Sequence, residues 1–406
     1  MAANKWPDVK VGELGQVITG RTPSTDRPSY FGDDFPFITP GDMRQGKYAR
    51  DSLRGLSHEG VALLNRILLP ANSVCVSCIG WQMGEVIMTD RPSITNQQIN
   101  TIVPNGKVDP SFLYYSLRPR KQELLSLGAT TGVRTPILNK SAFCETKVKI
   151  PPLSVQHRIA GILSAYDDLI ENSQRRIQIL EKMARALYRE WFVHFRFPGF
   201  ENHPRVDSAL GQVPQGWEVK KLGDLITYKR RPTKPGPDIV ERRYVPIDCI
   251  PPKSLALLEA RPIEEAQSSL QLFEKGDILF GAMRPYFHKV VVAPFDGVTR
   301  TTCFVFKPVK LEWHAFATMT AFNDSTVAYA NAHSQGATIP YAVWDGSLSE
   351  MAIVLPSPEV LHRFEEATAP MLALLAQSFF TLGNLRRTRD LLLPRLLSGQ
   401  INVEAS

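Results

Sequence analysis

The chain has 406 residues, 43% of them hydrophobic and 21% charged, so it is long enough for about two or three folded domains and too apolar to be disordered. Its 47 Lys and Arg against 40 Asp and Glu give a net charge of +7, which is compatible with a nucleic-acid partner. Five Cys exclude a disulfide framework, and no apolar run forms a signal peptide or approaches the ~20 residues of a membrane span. We therefore expect a soluble, cytoplasmic protein without a membrane partner.

The sequence contains an internal repeat. Trp6–Leu14 corresponds to Trp217–Leu225, and Ile150–Ile159 corresponds to Leu355–Phe364. The two displacements are 211 and 205 positions, a difference that a few loop insertions would produce. A period of this length is too long for a solenoid repeat and predicts two copies of one unit of roughly 200 residues.

Each copy is predicted to contain a mixed α/β globular region followed by a long helix. In the globular regions, short apolar runs such as Ser73–Ile79 and Asp277–Phe280 alternate with Gly, Pro, Asn and Asp, as is typical of strands and loops. The predicted fold class is α+β, with two mixed α/β domains related by the repeat and separated by a long antiparallel two-helix coiled coil. The predicted order is a first globular domain (1–150), a first helix (151–197), a linker (198–214), a second globular domain (215–355) and a second helix (356–400).

Apolar residues in both predicted helices are spaced three and four positions apart. They run over residues 159–191 in the first helix and 364–396 in the second, and the two seams carry Ser173 and Ser378 in the same layer. This spacing is typical of a coiled coil, in which a polar layer can set the register. The alternative is that each helix packs on its own globular domain. If the helices pair, a pseudo-twofold arrangement makes them antiparallel and puts the globular domains at opposite ends.

The sequence shows no complete catalytic or metal-binding motif. Gly41–Tyr48 resembles a phosphate-binding loop but has Tyr48 where the magnesium-binding hydroxyl belongs. Cys75 and Cys78 have no cysteine counterparts in the second copy and are predicted to fill core space. His157 and His362, at the starts of the helices, are interpreted as capping or partner contacts rather than metal ligands. The pattern favours a binding protein, without a metal, over an enzyme.

Both globular domains carry cations, amides and aromatic side chains in their predicted loops. Cations can contact phosphates, whereas amides and forked guanidinium groups can read base edges. Their occurrence at matching places in two domains held apart by helices suits a DNA site in two parts. The candidate DNA-binding residues of the first domain are Arg21, Thr22, Arg44, Lys47, Trp81, Gln82, Asn96, Gln97 and Arg134. Those of the second domain are Lys229, Arg230, Arg231, Arg284, Tyr286, Lys289, Arg300 and Gln335.

Several motifs together resemble the specificity subunits of type I restriction-modification systems. They are Gly20–Ser24, followed by Tyr30–Gly32 and Phe35–Ile38, then Gly211–Trp217 before the second domain, and the proline-containing starts of both long helices. The resemblance covers nearly the whole chain. The family usually has Glu-Gln after the helix start, whereas this chain has Val155-Gln156 and Val360-Leu361.

The resemblance implies the following organisation. Each globular domain is a target-recognition domain that reads one half of a split, asymmetric site on double-stranded DNA. The helices are spacers that dock two adenine methyltransferase subunits, which bind S-adenosylmethionine, and endonuclease/translocase subunits join them. The chain itself then has no cofactor and no catalytic residue, and serves phage defence through DNA recognition.

Two other classes stay open from the sequence. One is a specificity subunit of a related system in which a single partner chain carries both methylation and cleavage. The other is a coiled-coil adaptor that does not bind DNA. A self-sufficient methyltransferase would need a catalytic loop and a cofactor site that the sequence lacks.

Overall fold

The computed structural model describes residues 6–44, 46–50, 52–80, 82–129, 135–228 and 230–403. It divides into two compact units, and both long helices contribute to each of them. Unit 1 contains Met1–Glu171 with Leu385–Ser406, and unit 2 contains Asn172–Asn384.

Unit 1 consists of short strands in layered sheets, flanked by short helices. Its sheets have the strand orders β2-β8-β5-β6, β4-β3-β7 and β1-β9. The strands are β1 (Asp8–Lys10), β2 (Gly15–Thr19), β3 (Phe31–Ile38), β4 (Gly55–Leu56), β5 (Val74–Ser77), β6 (Val86–Met88), β7 (Ile94–Thr95), β8 (Ile99–Pro104) and β9 (Lys147–Lys149). The helices are α1 (His58–Leu63), α2 (Pro110–Leu117), α3 (Lys121–Ala129) and α4 (Lys140–Glu145), and they are followed by the long helix α5 (Leu153–Tyr188).

Strand β5 lies in the core of unit 1, and all four of its residues are buried. It pairs antiparallel with β8, with Val74 opposite Ile102. Helix α2 packs against this sheet and begins with Asp109, whose carboxylate accepts a hydrogen bond from the Phe112 amide at 2.8 Å, followed by Pro110 in the first turn. This cap satisfies a helix N–H group that would otherwise lack a partner.

Unit 2 uses the same kind of architecture. Its sheets have the strand orders β13-β20-β17-β18, β14-β16-β19-β15, β12-β21 and β10-β11. The strands are β10 (Arg205–Ser208), β11 (Gly211–Pro214), β12 (Glu218–Lys221), β13 (Ile226–Tyr228), β14 (Pro232–Thr233), β15 (Arg243–Tyr244), β16 (Leu270–Phe273), β17 (Ile278–Gly281), β18 (Val290–Val292), β19 (Gly297–Arg300), β20 (Cys303–Pro308) and β21 (Ala352–Leu355). The helices are α6 (Leu222–Leu225), α7 (His314–Phe322) and α8 (Asp324–Ala332), followed by the long helix α9 (Pro358–Leu397).

The central sheets of the two units have the same connectivity. Strand β5 lies between β8 and β6, just as β17 lies between β20 and β18. The strand register agrees as well. Ile278 lies opposite Phe306 in unit 2, as Val74 lies opposite Ile102 in unit 1. Ile278 is 204 positions after Val74, and Phe306 is 204 positions after Ile102. The fully buried residues Cys75 and Leu279 occupy the same place in these two strands, so the thiol fills core space.

The two long helices contain 36 and 40 residues, and α5 continues into a turn of π-helix at Arg189–Val193. Within unit 1, the first part of α5 and the last part of α9 share one apolar core, in which Ile159 and Leu163 pack with Leu393 and Leu396. The predicted α+β class is confirmed.

The seam predicted for α9 is wrong by one residue at several positions. The buried side chains Leu372, Phe379 and Leu393 each follow a predicted seam residue by one position. Other predicted seam residues are buried as expected: Phe364, Thr368, Leu375, Leu382 and Leu396. Ser378 is half-buried, and its hydroxyl donates to the Leu374 carbonyl at 2.9 Å, as Ser does in a helix interior. The heptad prediction failed here because an unstrained helix has 3.6 residues per turn, so a strict 3.5-residue pattern drifts around its surface.

Candidate nucleic-acid interface

Close backbone contacts gather several candidate residues of unit 1 into one surface, the unit 1 loop cluster (residues 20–24, 39–44, 77–80, 82–84 and 95–98). The Arg21 amide donates to the Thr95 carbonyl at 2.9 Å. A Cβ atom on Gly20 would lie only 2.2 Å from the same oxygen, so only glycine allows this approach. This close approach of the two backbones places Thr22 beside Gln97. The Thr22 hydroxyl donates to Oε1 of Gln97 at 2.7 Å.

The amide side chains of this cluster differ in their exposure. Asn96 is buried and donates from Nδ2 to Oε1 of Gln98 at 3.1 Å, whereas Gln97 is exposed. With the Gln82 amide oriented to satisfy both of its neighbours, its nitrogen donates to the Pro40 carbonyl and its oxygen accepts from Nη2 of Arg44, both at 3.2 Å. Three of the candidate DNA-binding residues of unit 1 are therefore exposed to solvent, namely Arg21, Arg44 and Gln97.

Lys47 lies apart from this exposed set. Its ammonium donates to the Ser111 hydroxyl at 3.0 Å and to the Ser164 hydroxyl at 2.8 Å. It also lies near the faces of tyrosine rings, including Tyr115 at 5.4 Å from the ring centroid. Burial lowers the pKa of Lys47 despite the nearby carboxylates. The Lys47 ammonium therefore links the first part of α5 to α2 within unit 1.

Arg231, in the basic segment just before β14, forms ion pairs within unit 2. Nη2 of Arg231 lies 2.8 Å from the buried carboxylate of Asp277, and its Nη1 pairs with Glu274 at 2.5 Å. Burial raises the pKa of Asp277, although Arg231 and Lys307 act in the opposite direction. Arg230 is exposed, with its guanidinium 5.6 Å from the centroid of the Tyr228 ring. The neighbouring prediction Lys229 lies outside the described residues, as do Trp81 and Arg134.

A second group of candidates meets in the unit 2 loop cluster (residues 282–288, 300–302 and 335–341). The Arg284 amide donates to the Pro340 carbonyl at 2.8 Å, and Gln335 and Tyr341 exchange two backbone hydrogen bonds of 2.8 Å each. The structure leaves Arg284, Tyr286, Arg300 and Gln335 exposed in this cluster. Lys289 follows it, but its ammonium donates to the Ile247 carbonyl at 2.8 Å.

The two loop clusters are built on the same backbone hydrogen bonds. In unit 1 the Cys78 amide donates to the Gln98 carbonyl at 2.8 Å, and in unit 2 the Ala282 amide donates to the Thr302 carbonyl at 2.8 Å. The bond from Gly80 to the Pro136 carbonyl likewise has its counterpart in the Arg284 bond described above. Equivalent loops therefore leave equivalent strands, while their exposed side chains differ.

Some exposed residues of these surfaces were not predicted. Phe287 and Tyr341 are exposed in the unit 2 loop cluster. In unit 1, Arg27 donates to the Tyr30 hydroxyl at 3.1 Å beside a cavity of about 230 Å³ that Arg21 and Thr22 also line. Phe287 could have been found from its position next to Tyr286, between two basic residues. The exposure of Tyr341 depends on tertiary contacts alone.

The described residues contain no group of three or more His, Cys, Asp or Glu side chains that could hold a metal ion. No helix among them is both long enough and apolar enough to cross a membrane.

Comparisons with known proteins agree with this picture. Residues 3–182 match the family described as the Type I restriction modification DNA specificity domain. The type I restriction enzyme MjaIX specificity subunit of Methanocaldococcus jannaschii is 27% identical, over 98% of this chain and 94% of its own. The HindI specificity subunit of Haemophilus influenzae is 35% identical, over 41% of this chain and 37% of its own.

The fold also has a counterpart among solved structures. The crystal structure of a type I restriction-modification S subunit from M. genitalium superposes with a TM-score of 0.67, over 98% of this chain and 97% of its own, at 15% sequence identity. The fold of this chain is therefore that of the S subunit from M. genitalium. The resemblance seen in the sequence is confirmed by the family match over residues 3–182 and by the similarity of nearly the whole chain to a type I specificity subunit.

Proposed function

We propose that this chain is the DNA-reading, non-catalytic subunit of a type I restriction-modification complex, and that each unit reads one half of a bipartite site. The observation that carries the proposal is the pair of loop clusters built on the same hydrogen bonds. Their exposed groups are cations and polar side chains, which suit phosphates and base edges. Because these groups differ between the units, the two half-sites differ and the whole site is asymmetric.

The long helices supply the second part of the proposal, which is partner binding. In unit 1, the outer face of α5 exposes Ile162 and Leu169, and in unit 2 it exposes Ile179 and Met183. Exposed apolar side chains repeated along a helix suit packing against helices of a partner. We propose that two adenine methyltransferase subunits dock on these helices, that they bring the bound S-adenosylmethionine, and that endonuclease subunits join the assembly.

The test is to map methylated adenines in the genome of a host that expresses the chain with its methyltransferase subunit. We expect two short specific sequences separated by a fixed gap. Replacing residues 215–355 by the matching segment of another specificity subunit should change one of the two sequences and leave the other intact. A change in both sequences would contradict independent reading by the two units.

Purified chain should transfer no methyl group from S-adenosylmethionine unless the methyltransferase subunit is added. Within the binding reaction, Arg230→Ala and Arg300→Ala should each flatten the dependence of log K on log salt, by about 0.9 for each phosphate that the variant no longer neutralises. Methyl transfer by the chain alone would overturn its assignment as a recognition subunit.

A further inference from the structure

A tight loop in unit 2, the aromatic loop (residues 284–288), has an unusual backbone. Arg284 and His288 both have φ of 51°, a left-handed conformation that is unfavourable for residues with a Cβ. The matching positions in unit 1 are Gly80 and Gly84, with φ of 87° and 85°. The same turn is thus made without strain in unit 1 and with strain in unit 2, and such strain often accompanies a functional requirement.

The two side chains at the tip of the aromatic loop point into solvent. Tyr286 is 51% exposed and Phe287 is 44% exposed, and their ring centroids lie 4.7 Å apart. In unit 1, the residue equivalent to Phe287 is Met83, which is fully buried. Two adjacent aromatic rings that remain exposed in the free protein leave apolar surface in contact with water. Such a surface is typical of a binding site that a ligand covers.

Contacts on both sides hold the aromatic loop in place. The Arg284 amide is bonded to the Pro340 carbonyl at 2.8 Å, and the His288 amide to the Pro285 carbonyl at 2.8 Å. The buried His288 ring lies between the Phe322 carbonyl, 2.8 Å from Nε2, and the exposed carboxylate of Asp324, 3.2 Å from Nδ1. The rings are therefore presented on a fixed support, which lowers the entropy cost of binding.

We propose that Tyr286 and Phe287 form a wedge that inserts against the bases of the second half-site and partly unstacks one base step. The inference rests on the proposed function and adds to it a specific mode of contact. DNA is the occupant that the surroundings favour, because the exposed cations Arg284 and Arg300 belong to the same loop cluster. Aromatic faces contact bases rather than phosphates, and apolar side chains inserted between base pairs kink the duplex.

The first test measures binding of the full chain, assembled with its methyltransferase subunits, to the mapped bipartite site at several salt concentrations. We expect the double variant Tyr286→Ala with Phe287→Ala to weaken binding by about tenfold or more, since base stacking on aromatic rings is strong. The slope of log K against log salt should stay unchanged, because the same phosphates remain neutralised. Tyr286→Phe should retain wild-type affinity because it keeps the ring.

Leu311→Ala is the matched control, because Leu311 is an apolar residue of unit 2 that is 83% exposed, outside the loop cluster. It should bind as the wild type does. Unchanged affinity of the double variant, with wild-type binding intact, would overturn the wedge alone. A flatter salt slope would also overturn it, because the loop would then contact phosphates.

The second test places 2-aminopurine, whose fluorescence rises on unstacking, at successive positions of each half-site. We expect a rise at one step of the second half-site with the wild type, and its loss with the double variant. No rise at any position would overturn the wedge. A double variant that binds DNA normally but fails to assemble with the methyltransferase subunit would also overturn it, because the two rings would then contact that subunit rather than DNA. Absence of any site-specific binding by the wild-type assembly would instead overturn the proposed function.

Discussion

At matching places in the two loop clusters, unit 1 has Gly80 and Gly84 where unit 2 has Arg284 and His288, and all four residues have positive φ. The bonds of Gly80 to the Pro136 carbonyl and of Arg284 to the Pro340 carbonyl are equivalent, whereas the Gly84 amide donates to the Ser77 carbonyl and the His288 amide donates to the Pro285 carbonyl. Unit 1 keeps Met83 inside, whereas unit 2 exposes two aromatic rings. Shared backbone hydrogen bonds therefore set where the loops lie, whereas the same loop position is part of the core in unit 1 and faces solvent in unit 2.

The long helices show a second difference between the units. In unit 1, Asp167 of α5 accepts from Nη1 of Arg389 of α9 and from the Tyr115 hydroxyl, both at 2.7 Å. In unit 2, Glu181 of α5 accepts from the Leu255 amide at 2.8 Å and from the Ala256 amide at 3.3 Å. An ion pair thus joins the two long helices in unit 1, whereas in unit 2 the Glu181 carboxylate joins α5 to the loop at residues 255 and 256.

The largest expected effect comes from breaking the charge pair of unit 1. Asp167→Ala should lower the free energy of unfolding of unit 1 by about 3 kcal/mol, because the Tyr115 hydroxyl loses its acceptor and Arg389 keeps only the more exposed Asp390 of its two carboxylate partners in the described residues. Hydrogen exchange should show faster opening of amides in unit 1 and unchanged protection in the strands of unit 2. The exposed neighbour Asp168 is the control, and Asp168→Ala should leave exchange unaltered. Equal loss of protection in both units would contradict this division.

The corresponding change in unit 2 should be smaller. Glu181→Ala leaves the buried Leu255 amide without its acceptor and removes one of the two acceptors of the Ala256 amide, and it should cost about 2 kcal/mol. Glu181→Gln keeps an acceptor oxygen and should recover much of this loss. Hydrogen exchange at residues 255 and 256 reads out the effect directly, and protection there that survives Glu181→Ala would show that the carboxylate does not secure this loop.

Exchanging the residue types of the two tight loops should move stability in opposite directions. Arg284→Gly should stabilise unit 2 and Gly80→Ala should destabilise unit 1, each by about 1 kcal/mol, because a Cβ at positive φ is strained. A Cβ on Gly80 meets no atom within 4 Å, so the cost there is conformational rather than steric. Denaturant titration measures both changes. If Arg284→Gly were destabilising, contacts of the Arg284 side chain would outweigh the strain.

The smallest expected effect is a dependence on pH that arises from His288 of unit 2, whose counterpart in unit 1 is Gly84. Burial lowers the pKa of His288 below its ordinary value of 6.5, with the carbonyl of Phe322 and the carboxylate of Asp324 opposing the shift and Arg185 and Lys253 adding to it. The unfolded chain then binds this proton more readily than the folded one. The His288 contribution is therefore complete above about pH 6.5 and is lost as the pH falls toward the folded pKa.

We expect His288→Asn, which tolerates positive φ and does not titrate, to reduce the loss of protection in unit 2 between pH 7 and pH 5. Hydrogen exchange corrected for intrinsic rates is the measurement, with the sheet of unit 1 as the internal reference. An acid sensitivity unaltered by this substitution would assign the effect to other groups.

Much of the architecture follows from local patterns in the chain. Buried strands such as Val74–Ser77 are continuous apolar runs between turn formers, and the long helices have an apolar spacing of three and four residues. The repeat is visible as the correspondence of Ile150–Ile159 with Leu355–Phe364 at the starts of the two long helices. These signals are local or periodic, so they can be read without knowing which segments meet.

The accessibility of the candidate residues could not be read in this way. Lys47 and Arg231 look like surface cations in the sequence, yet Ser164 lies 117 positions from the first and Asp277 lies 46 positions from the second, and both are their hydrogen-bond partners. The seam of α9 also escaped prediction in detail, because it depends on which face meets the rest of the fold.

The sequence by itself determined the α+β class, the internal repeat, the long helices and the resemblance to specificity subunits, because hydrophobic periodicity, turn residues and short motifs are properties of the chain. Only the tertiary structure decided which cations face solvent, how Arg284 and His288 adopt the conformation of two glycines, and that Phe287 is exposed where Met83 is buried. These features depend on contacts between segments far apart in the chain, and the free energy of such contacts is set by packing and hydrogen bonding in the folded state.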